Sequence, residues 1–428
     1  MDSAGHSEAA AHRGLELNPF RGLRYDPARV GSLAAVTSPP YDVVVSPDGL
    51  RHLQSNDPHN IVRLILPQAP TPAARNEQAA RAFRRWRAEG VLAVDATPAL
   101  YVYEQRDDSG VLQRGLIGLL RVADPAERVV LPHEDVMPHV VADRAALMRA
   151  TSANLDPLLL TYRGDGAATG GIVESTAERT PLLSTTTEDG LGHRLWSVTD
   201  PDDIARLRAD LAGHQALIAD GHHRWATYRT LRAEHSSPGP WDHGLVLLVD
   251  TVRYPLRVRA IHRLLHDLPV GQAVADLKDR FRVRRLDVAL PAALDVLAEA
   301  AEGGNAFLLA GDGSFHLADR PESDLLDRTV PADRPEAWRR LDATVLHSTL
   351  LPHVWHVPED SSAQVSYIHD AAATVAKAER DGGTAVLLHP VREDVVRDLA
   401  RQGVMMPRKT TSFGPKPATG LVLRALDT

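Results

Sequence analysis

Apolar positions between Ala73 and Glu89 recur at helical spacing, with Ala79, Phe83 and Trp86 on one face and Gly90 as a stop. This predicts one helix. The pattern then shortens to the runs Ala99–Gln105 and Gly115–Val122, which are separated by the turn-rich Arg106–Gly110 and read as a hairpin. Leu158–Tyr162 and Leu195–Val198 are further strand candidates. In Asp200–Ala212, Asp200 is placed as N-cap, Pro201 takes the first helical position, and Ile204, Leu207 and Leu211 share a face. A buried strand, Ala216–Ala219, follows; Asp220-Gly221-His222-His223-Arg224 leads from it into a helical pattern over Trp225–Glu234, and the chain returns through the apolar strand Leu245–Asp250.

Elsewhere the pattern is weaker. Arg163–Thr187 shifts to Gly, Thr, Ala and Ser and reads as a loop or insertion. Pro269–Asp342 alternates helices such as Ala292–Glu302 with strands such as Ala306–Leu309, which suggests an additional α+β unit. Helices are expected around Ala371–Arg380 and Glu393–Arg401, then a Pro- and Lys-bearing stretch, Met405–Lys416, and a last strand at Gly420–Arg424.

Composition narrows the chemistry. With 428 residues, the chain exceeds what one hydrophobic core usually supports. The absence of cysteine excludes disulfides, thiolate catalysis and iron–sulfur clusters, leaving His, Asp and Glu as ligands for any metal. A net charge of −8 supplies no global field for nucleic acid. Met1–Leu15 has neither the cationic start nor the apolar stretch of a signal peptide, and no window has the length of a membrane helix. The expectation is a soluble cytoplasmic protein that binds neither membrane nor nucleic acid.

The sharpest local feature is Asp220-Gly221-His222-His223-Arg224 at a strand-to-helix junction. Glycine permits a tight turn and close approach of a ligand, the helix start supplies N–H groups, and Arg224 adds a positive fork, together a phosphate cradle without a Walker motif. The same residues also read as a capped helix with two locally bonded histidines. His133-Glu134-Asp135 lies in a proline-flanked loop where Glu134 could accept a proton or organise Mg²⁺, or form a solvated turn. Asp143-Arg144 reads as a cap and a surface ion pair. Ser38-Pro39-Pro40-Tyr41-Asp42-Val43 fixes an extended backbone that presents Tyr41 and Asp42, as a pocket wall or as a packed loop. Met406–Lys416 holds two of the four lysines in an otherwise arginine-rich chain, so Lys409 and Lys416 stand out as compact charges for an anion. His347, His353 and His356 sit among apolar residues and read as a packed helix end. The glycine run at 164, 166, 170 and 171 lacks the spacing of a dinucleotide fingerprint.

In order along the chain, Pro19-Phe20-Arg21-Gly22, Pro39-Pro40-Tyr41-Asp42-Val43, His59-Asn60, His133-Glu134, Asp143-Arg144, Asp220–Arg224, Ile261-His262-Arg263 and Met406–Lys416 resemble the domain of unknown function family 1015. The Asp-Gly-His-His-Arg element with its upstream His-Glu also resembles the ParB/sulfiredoxin superfamily, in particular its free L-serine kinases, whose Asp-Gly-His-Thr-Arg loop binds nucleotide phosphates. That resemblance implies Glu134 as base, Asp220 orienting the hydroxyl or Mg²⁺, and Gly221, His222, His223 and Arg224 on the phosphates. This chain has His223 where those kinases have Thr, and a longer interval between the two motifs. Sulfiredoxin chemistry is excluded without cysteine.

The expected fold is α+β: a ParB/sulfiredoxin-like mixed α/β core over 95–265, an N-terminal region over 1–94 and a C-terminal α+β region over 266–428. The expected function is a small-molecule kinase using Mg²⁺ and ATP or ADP to phosphorylate the hydroxyl of free serine or a related amino acid. Glu134 and Asp220 are its catalytic residues; Gly221, His222, His223, Arg224, Arg263 and Lys409 hold phosphate, and Tyr41, Asp42 and His133 face the substrate. The alternative is a non-catalytic nucleotide-binding switch of the ParB-like class; a nuclease is disfavoured by the acidic balance.

Overall fold

Helix Pro72–Ala88 begins where the Thr71 side chain accepts the Ala74 N–H and Pro72 occupies the first turn, and it buries Ala79, Phe83 and Trp86. Helix Pro201–Leu211 starts in the same way, with Asp200 accepting from the N–H groups of Asp202 and Asp203. Both helices follow the sequence expectation. The computed structural model describes residues 14–44, 46–165, 168–358 and 363–428. The expected N-terminal lead ahead of Gly14 and the glycine at 166 lie outside the described residues.

The described elements are mixed α/β and fall into two compact units. The first comprises Met1–Leu131, Val136–Leu256 and Pro415–Thr428; the second comprises Pro132–Asp135 and Arg257–Gly414. This division differs from boundaries at 94 and 265. Residues from the N-terminal region share the first unit's sheet and core: Leu17–Asn18 pairs with Gly110–Arg121, and Leu23, Tyr25, Phe83 and Trp86 pack with Ala153, Leu155, Leu423 and Ala425.

The first unit is built on a nine-stranded mixed sheet. Along its main path the strands run 130–131, 216–220, 158–162, 243–250, 110–121, 100–107, 192–198 and 183–186. Strand Leu158–Tyr162 runs parallel to His243–Asp250 and antiparallel to Ala216–Asp220. Strands Leu158–Tyr162 and Ala216–Asp220 are buried at every position, so their apolar runs are covered on both faces. The hairpin and the strands around 158, 195, 216 and 245 stand where the pattern placed them. Residues 163–187 do not form a loop throughout. Helix Ala168–Ala177 buries Ile172 and Val173, and strand Leu183–Thr186 pairs with Gly192–Val198. Its small residues masked the helix, and at Gly170 the Arg253 guanidinium lies against the helix, 2.1 Å from where a Cβ would stand. The strand expected at Gly420–Arg424 shortens to Arg424–Ala425.

The second unit contains a six-stranded antiparallel sheet in the order 282–286, 315–319, 306–310, 384–388, 262–265, 365–368. Helices Leu290–Glu302 and Ala371–Asp381 cover one face through Ala293, Leu297, Val375 and Ala378. The other face packs Phe307, Leu309 and Val386 against Leu346, Leu350 and Trp355. The expected packed end around His347 is a π-helix, Leu346–Val354, interrupted by Pro352. Among the described residues no helix is long and apolar enough to cross a membrane.

The last segment of the first unit is a strap over its sheet. Gln113 donates to the Pro415 carbonyl at 2.9 Å, Ala418 donates its N–H to the Tyr103 hydroxyl at 3.2 Å, and Thr419 exchanges backbone bonds with Ser38. The same hydroxyl lies 2.9 Å from Nδ1 of His193, whose Nε2 is 3.0 Å from Oγ1 of Thr187. This network is satisfied by a neutral ring that accepts from Tyr103 and donates to Thr187. Burial accordingly lowers the His193 pKa to about 4. A group whose folded pKa lies below its unfolded value of 6.5 takes up a proton on unfolding, so stability falls as pH drops from about 6.5 toward 4. Replacing His193 with Gln is expected to reduce the proton uptake of unfolding near pH 5.5 by about one, measured from the pH slope of the urea unfolding free energy.

Candidate functional site

Strand Ala216–Asp220 delivers Asp220 at its end, and the chain turns directly into helix His222–Ala233. The turn requires glycine. Gly221 sits at φ +102°, and a Cβ there would lie 2.8 Å from Cβ of Leu158. As N-cap, Gly221 offers no side-chain acceptor to the first turn of the helix. Trp225, Tyr228 and Leu231 bury the opposite face of that helix and set its rotation.

Arg224 extends back over this turn and is 3% exposed. Its guanidinium pairs with Asp156 and Asp220, the latter at 2.6 Å, and donates to the Pro157 carbonyl at 2.8 Å. Both terminal nitrogens of the fork expected for phosphate are engaged by protein acceptors, and Arg224 holds Asp220 in place. Burial works to lower the Arg224 pKa, but the charges of Asp156 and Asp220 outweigh it and raise the pKa far above its usual value. Burial raises the Asp156 pKa against the pull of Arg224 and Arg144.

Lys416 reaches from the strap to this cluster, 2.6 Å from Oδ1 of Asp220 and paired also with Asp42. Burial opposes charge on both Lys416 and Asp220. The Lys416 ammonium and Arg224 nevertheless hold the Asp220 pKa below the usual carboxylate range, and Asp220 and Asp42 raise that of Lys416. Tyr41 is half-buried with its ring 4.6 Å from the Arg144 guanidinium and 5.8 Å from that of Arg224. Burial pushes its hydroxyl up to about 12. Arg144 donates to the Ile65 carbonyl at 2.9 Å and pairs with Asp143, so that motif buttresses Tyr41. His222 opens the helix, half-exposed, whereas Nε2 of His223 accepts the Met137 N–H at 3.1 Å. His223 thus fixes the backbone ahead of helix Pro138–Thr151, a structural role in place of the expected phosphate contact.

The remaining expected residues belong to the second unit. His133 is buried, with Nε2 2.9 Å from Oγ1 of Thr411 and its ring 5.7 Å from that of Phe413. It is packed among residues of the second unit. The adjacent backbone pairs with Met406, and Oε1 of Glu134 accepts the Lys409 N–H at 3.2 Å. Lys409 has φ +58° and an exposed side chain. Arg263 is fully buried: it donates to the carbonyls of Ile261 and Lys409 and lies 2.9 Å from Nε2 of His347, with Tyr367 4.8 Å away. Burial lowers its pKa to about 10. Its two terminal nitrogens are directed to protein atoms, so Arg263 supports the Arg408–Lys409 loop.

Tyr41, Asp42, Asp220, Gly221 and Arg224 are therefore brought together in the first unit, and His133, Glu134, Arg263 and Lys409 belong to the second. Sequence reasoning missed Asp156, for which Asn154-Leu155-Asp156-Pro157 carried no distinguishing pattern. It singled out Lys416 by rarity without assigning it a partner. Arg224→Ala would leave Asp156 without its paired cation and Asp220 with Lys416 alone, and is expected to destabilise the first unit by about 3–5 kcal/mol. Lys416→Ala, at a more exposed pair, should cost about 1 kcal/mol. Urea unfolding followed by tryptophan fluorescence checks both.

None of the curated proteins matches this sequence. Among solved structures, a free serine kinase in complex with AMP is similar at 15% identity and a TM-score of 0.37, over 70% of this chain and 87% of that one. A conserved hypothetical protein from Pyrococcus furiosus gives 15% identity and 0.37, over 73% and 96%. SbnI with a C-terminal truncation, from Staphylococcus aureus, gives 10% identity and 0.35, over 70% and 82%. Similarity at this level decides neither ligand nor reaction. A family model does match most of the chain, residues 17–344, and by that match the protein belongs to the family described as protein of unknown function, DUF1015.

Proposed function

We propose that this protein is a nucleotide-dependent small-molecule kinase that phosphorylates the hydroxyl of free serine or a related amino acid. The proposal includes the ParB/sulfiredoxin-like core implied by the resemblance. One observation carries it: the carboxylates of Asp42 and Asp220 meet at a single cationic point, the Lys416 ammonium, beside a helix start whose N-cap is glycine. Carboxylates, a mobile cation and exposed backbone donors are the parts phosphoryl transfer requires, because the reaction depends on positioning and charge neutralisation.

The residues fit Mg²⁺. Two carboxylate oxygens that already converge on one positive charge are the hard donors this ion takes, and Asp42 and Asp220 would hold it. When bound, Mg²⁺ neutralises phosphate charge. Gly221 lets phosphate approach the backbone without a side chain, and the first turn of helix His222–Ala233 supplies dipole and N–H donors. Arg224 keeps Asp220 ionised and oriented. Lys416 is a compact charge that can exchange a carboxylate for a phosphate oxygen. Glu134 takes the hydroxyl proton; this assignment rests on the resemblance of the His133-Glu134 motif.

The second reading, a nucleotide-binding switch without transfer, draws on the same Lys416 pairs. A cation that must leave two carboxylates when nucleotide arrives would move its strap with it. Phosphorus NMR of the protein with Mg²⁺, ATP or ADP, and pooled hydroxylated amino acids separates the two. The expected result is a new phosphomonoester signal, reduced about 100-fold or more in Asp220→Asn and in Glu134→Gln. Nucleotide line broadening without product would establish the switch in place of the kinase. Neither broadening nor turnover would overturn both.

A further inference from the structure

At the other end of strand Leu158–Tyr162 from Asp156 and Asp220 lies a second group of ionisable side chains, all in the first unit. Asp165 follows the strand, Asp210 lies in the last turn of helix Pro201–Leu211, and His214 lies just beyond that helix. One ligand atom from each lies within 4.8 Å of the others. We infer that Asp165, Asp210 and His214 form a binding site for one divalent transition-metal ion of the zinc or manganese class.

The donor set selects the class. Two carboxylates and an imidazole suit Zn²⁺, Mn²⁺ or Co²⁺, whereas Ca²⁺ and Mg²⁺ prefer oxygen-only sites. With metal–ligand bonds of about 2.1 Å, neighbouring tetrahedral ligands of one ion stand about 3.4 Å apart, so donors within 4.8 Å of one another close on an ion by side-chain rotation of about 1 Å or more.

The surrounding structure presets each donor. Oδ2 of Asp210 accepts the Thr169 N–H at 3.0 Å, which orients the carboxylate as an outer-shell partner orients a metal ligand. The turn carrying His214 is pinned by the Leu15 N–H, which reaches the carbonyls of Leu211 at 3.2 Å and His214 at 3.1 Å. Gly14 makes that approach possible, since a Cβ there would sit 2.1 Å from the Ala212 carbonyl oxygen. The His214 ring packs 5.3 Å from that of Tyr162. The backbone before Asp165 is tied by the Gly164 N–H to Oδ1 of Asp250 at 2.9 Å. A bound ion would clamp the end of the strand to the end of helix Pro201–Leu211 and leave coordination positions to water.

The test uses the full chain treated with EDTA and titrated with Co²⁺, read by visible absorption, with Zn²⁺ competition and calorimetry for stoichiometry. About one equivalent is expected to bind, with affinity at least about tenfold weaker in Asp210→Asn and in His214→Gln. Neither residue is buried, and far-UV circular dichroism verifies that both variants fold. Zn²⁺ should raise the melting temperature of the unsubstituted protein and of Asp220→Asn, but not of those two variants. Because Asp220→Asn disables the proposed nucleotide site, the metal inference stands or falls separately from the kinase. Absence of stoichiometric binding, or binding equally strong in both variants, would overturn it, the latter assigning the ion to other surface histidines.

Discussion

A guanidinium taken out of water must find fixed acceptors, and Arg224 imposes that requirement on everything around it. Its two carboxylate partners come from different parts of the chain: Asp156 before one strand and Asp220 at the end of the antiparallel neighbour. Meeting both forces a left-handed turn between strand and helix, which only Gly221 accommodates beside Leu158. The excess negative charge of the carboxylates then calls for a second cation, and the returning strap supplies it as Lys416.

Arg263 shows the other solution to the same problem. It is equally buried, yet its partners are carbonyl oxygens and an imidazole, which offer acceptors without a full negative charge. The consequence is opposite in sign: the pKa of Arg224 is driven up by its carboxylates, while burial draws that of Arg263 down to about 10. The first arrangement ties two strands to one cation. The second uses a charge to order a loop, and the Arg408–Lys409 backbone is what it orders.

Local features were legible in the sequence because their causes are local. Asp200-Pro201 capped a helix where a cap and a first-turn proline predict one, and a buried strand followed by Asp220-Gly221 gave the turn. Residue type also drew notice to Arg224, Arg263 and Lys416. What residue type does not encode is the partner, and partners set what each charge does in the fold: Asp156 stands 68 positions from Arg224, and Oδ2 of Asp42 meets a lysine 374 positions away. His133 read as a substrate residue because it adjoins Glu134, yet Thr411 and Phe413 draw it into the interior. The small-residue stretch after 163 concealed a helix because the glycine that weakens a helical pattern there makes room for Arg253.

The strap has a consequence in time. The second unit's main segment, Arg257–Gly414, is inserted between two parts of the first, so the polypeptide makes Asp220 nearly two hundred residues before it makes Lys416. During vectorial synthesis at about 5–20 residues per second, the first unit waits on the order of ten seconds or more with its acidic cluster lacking that cation and strand Ala153–Asn154 lacking its partner Arg424–Ala425. The inserted unit has its whole antiparallel sheet by residue 388 and can fold in that interval. Closure of the older unit therefore waits on synthesis of the inserted one, and a chain cut short before Pro415 lacks the cation that pairs with Asp42 and Asp220.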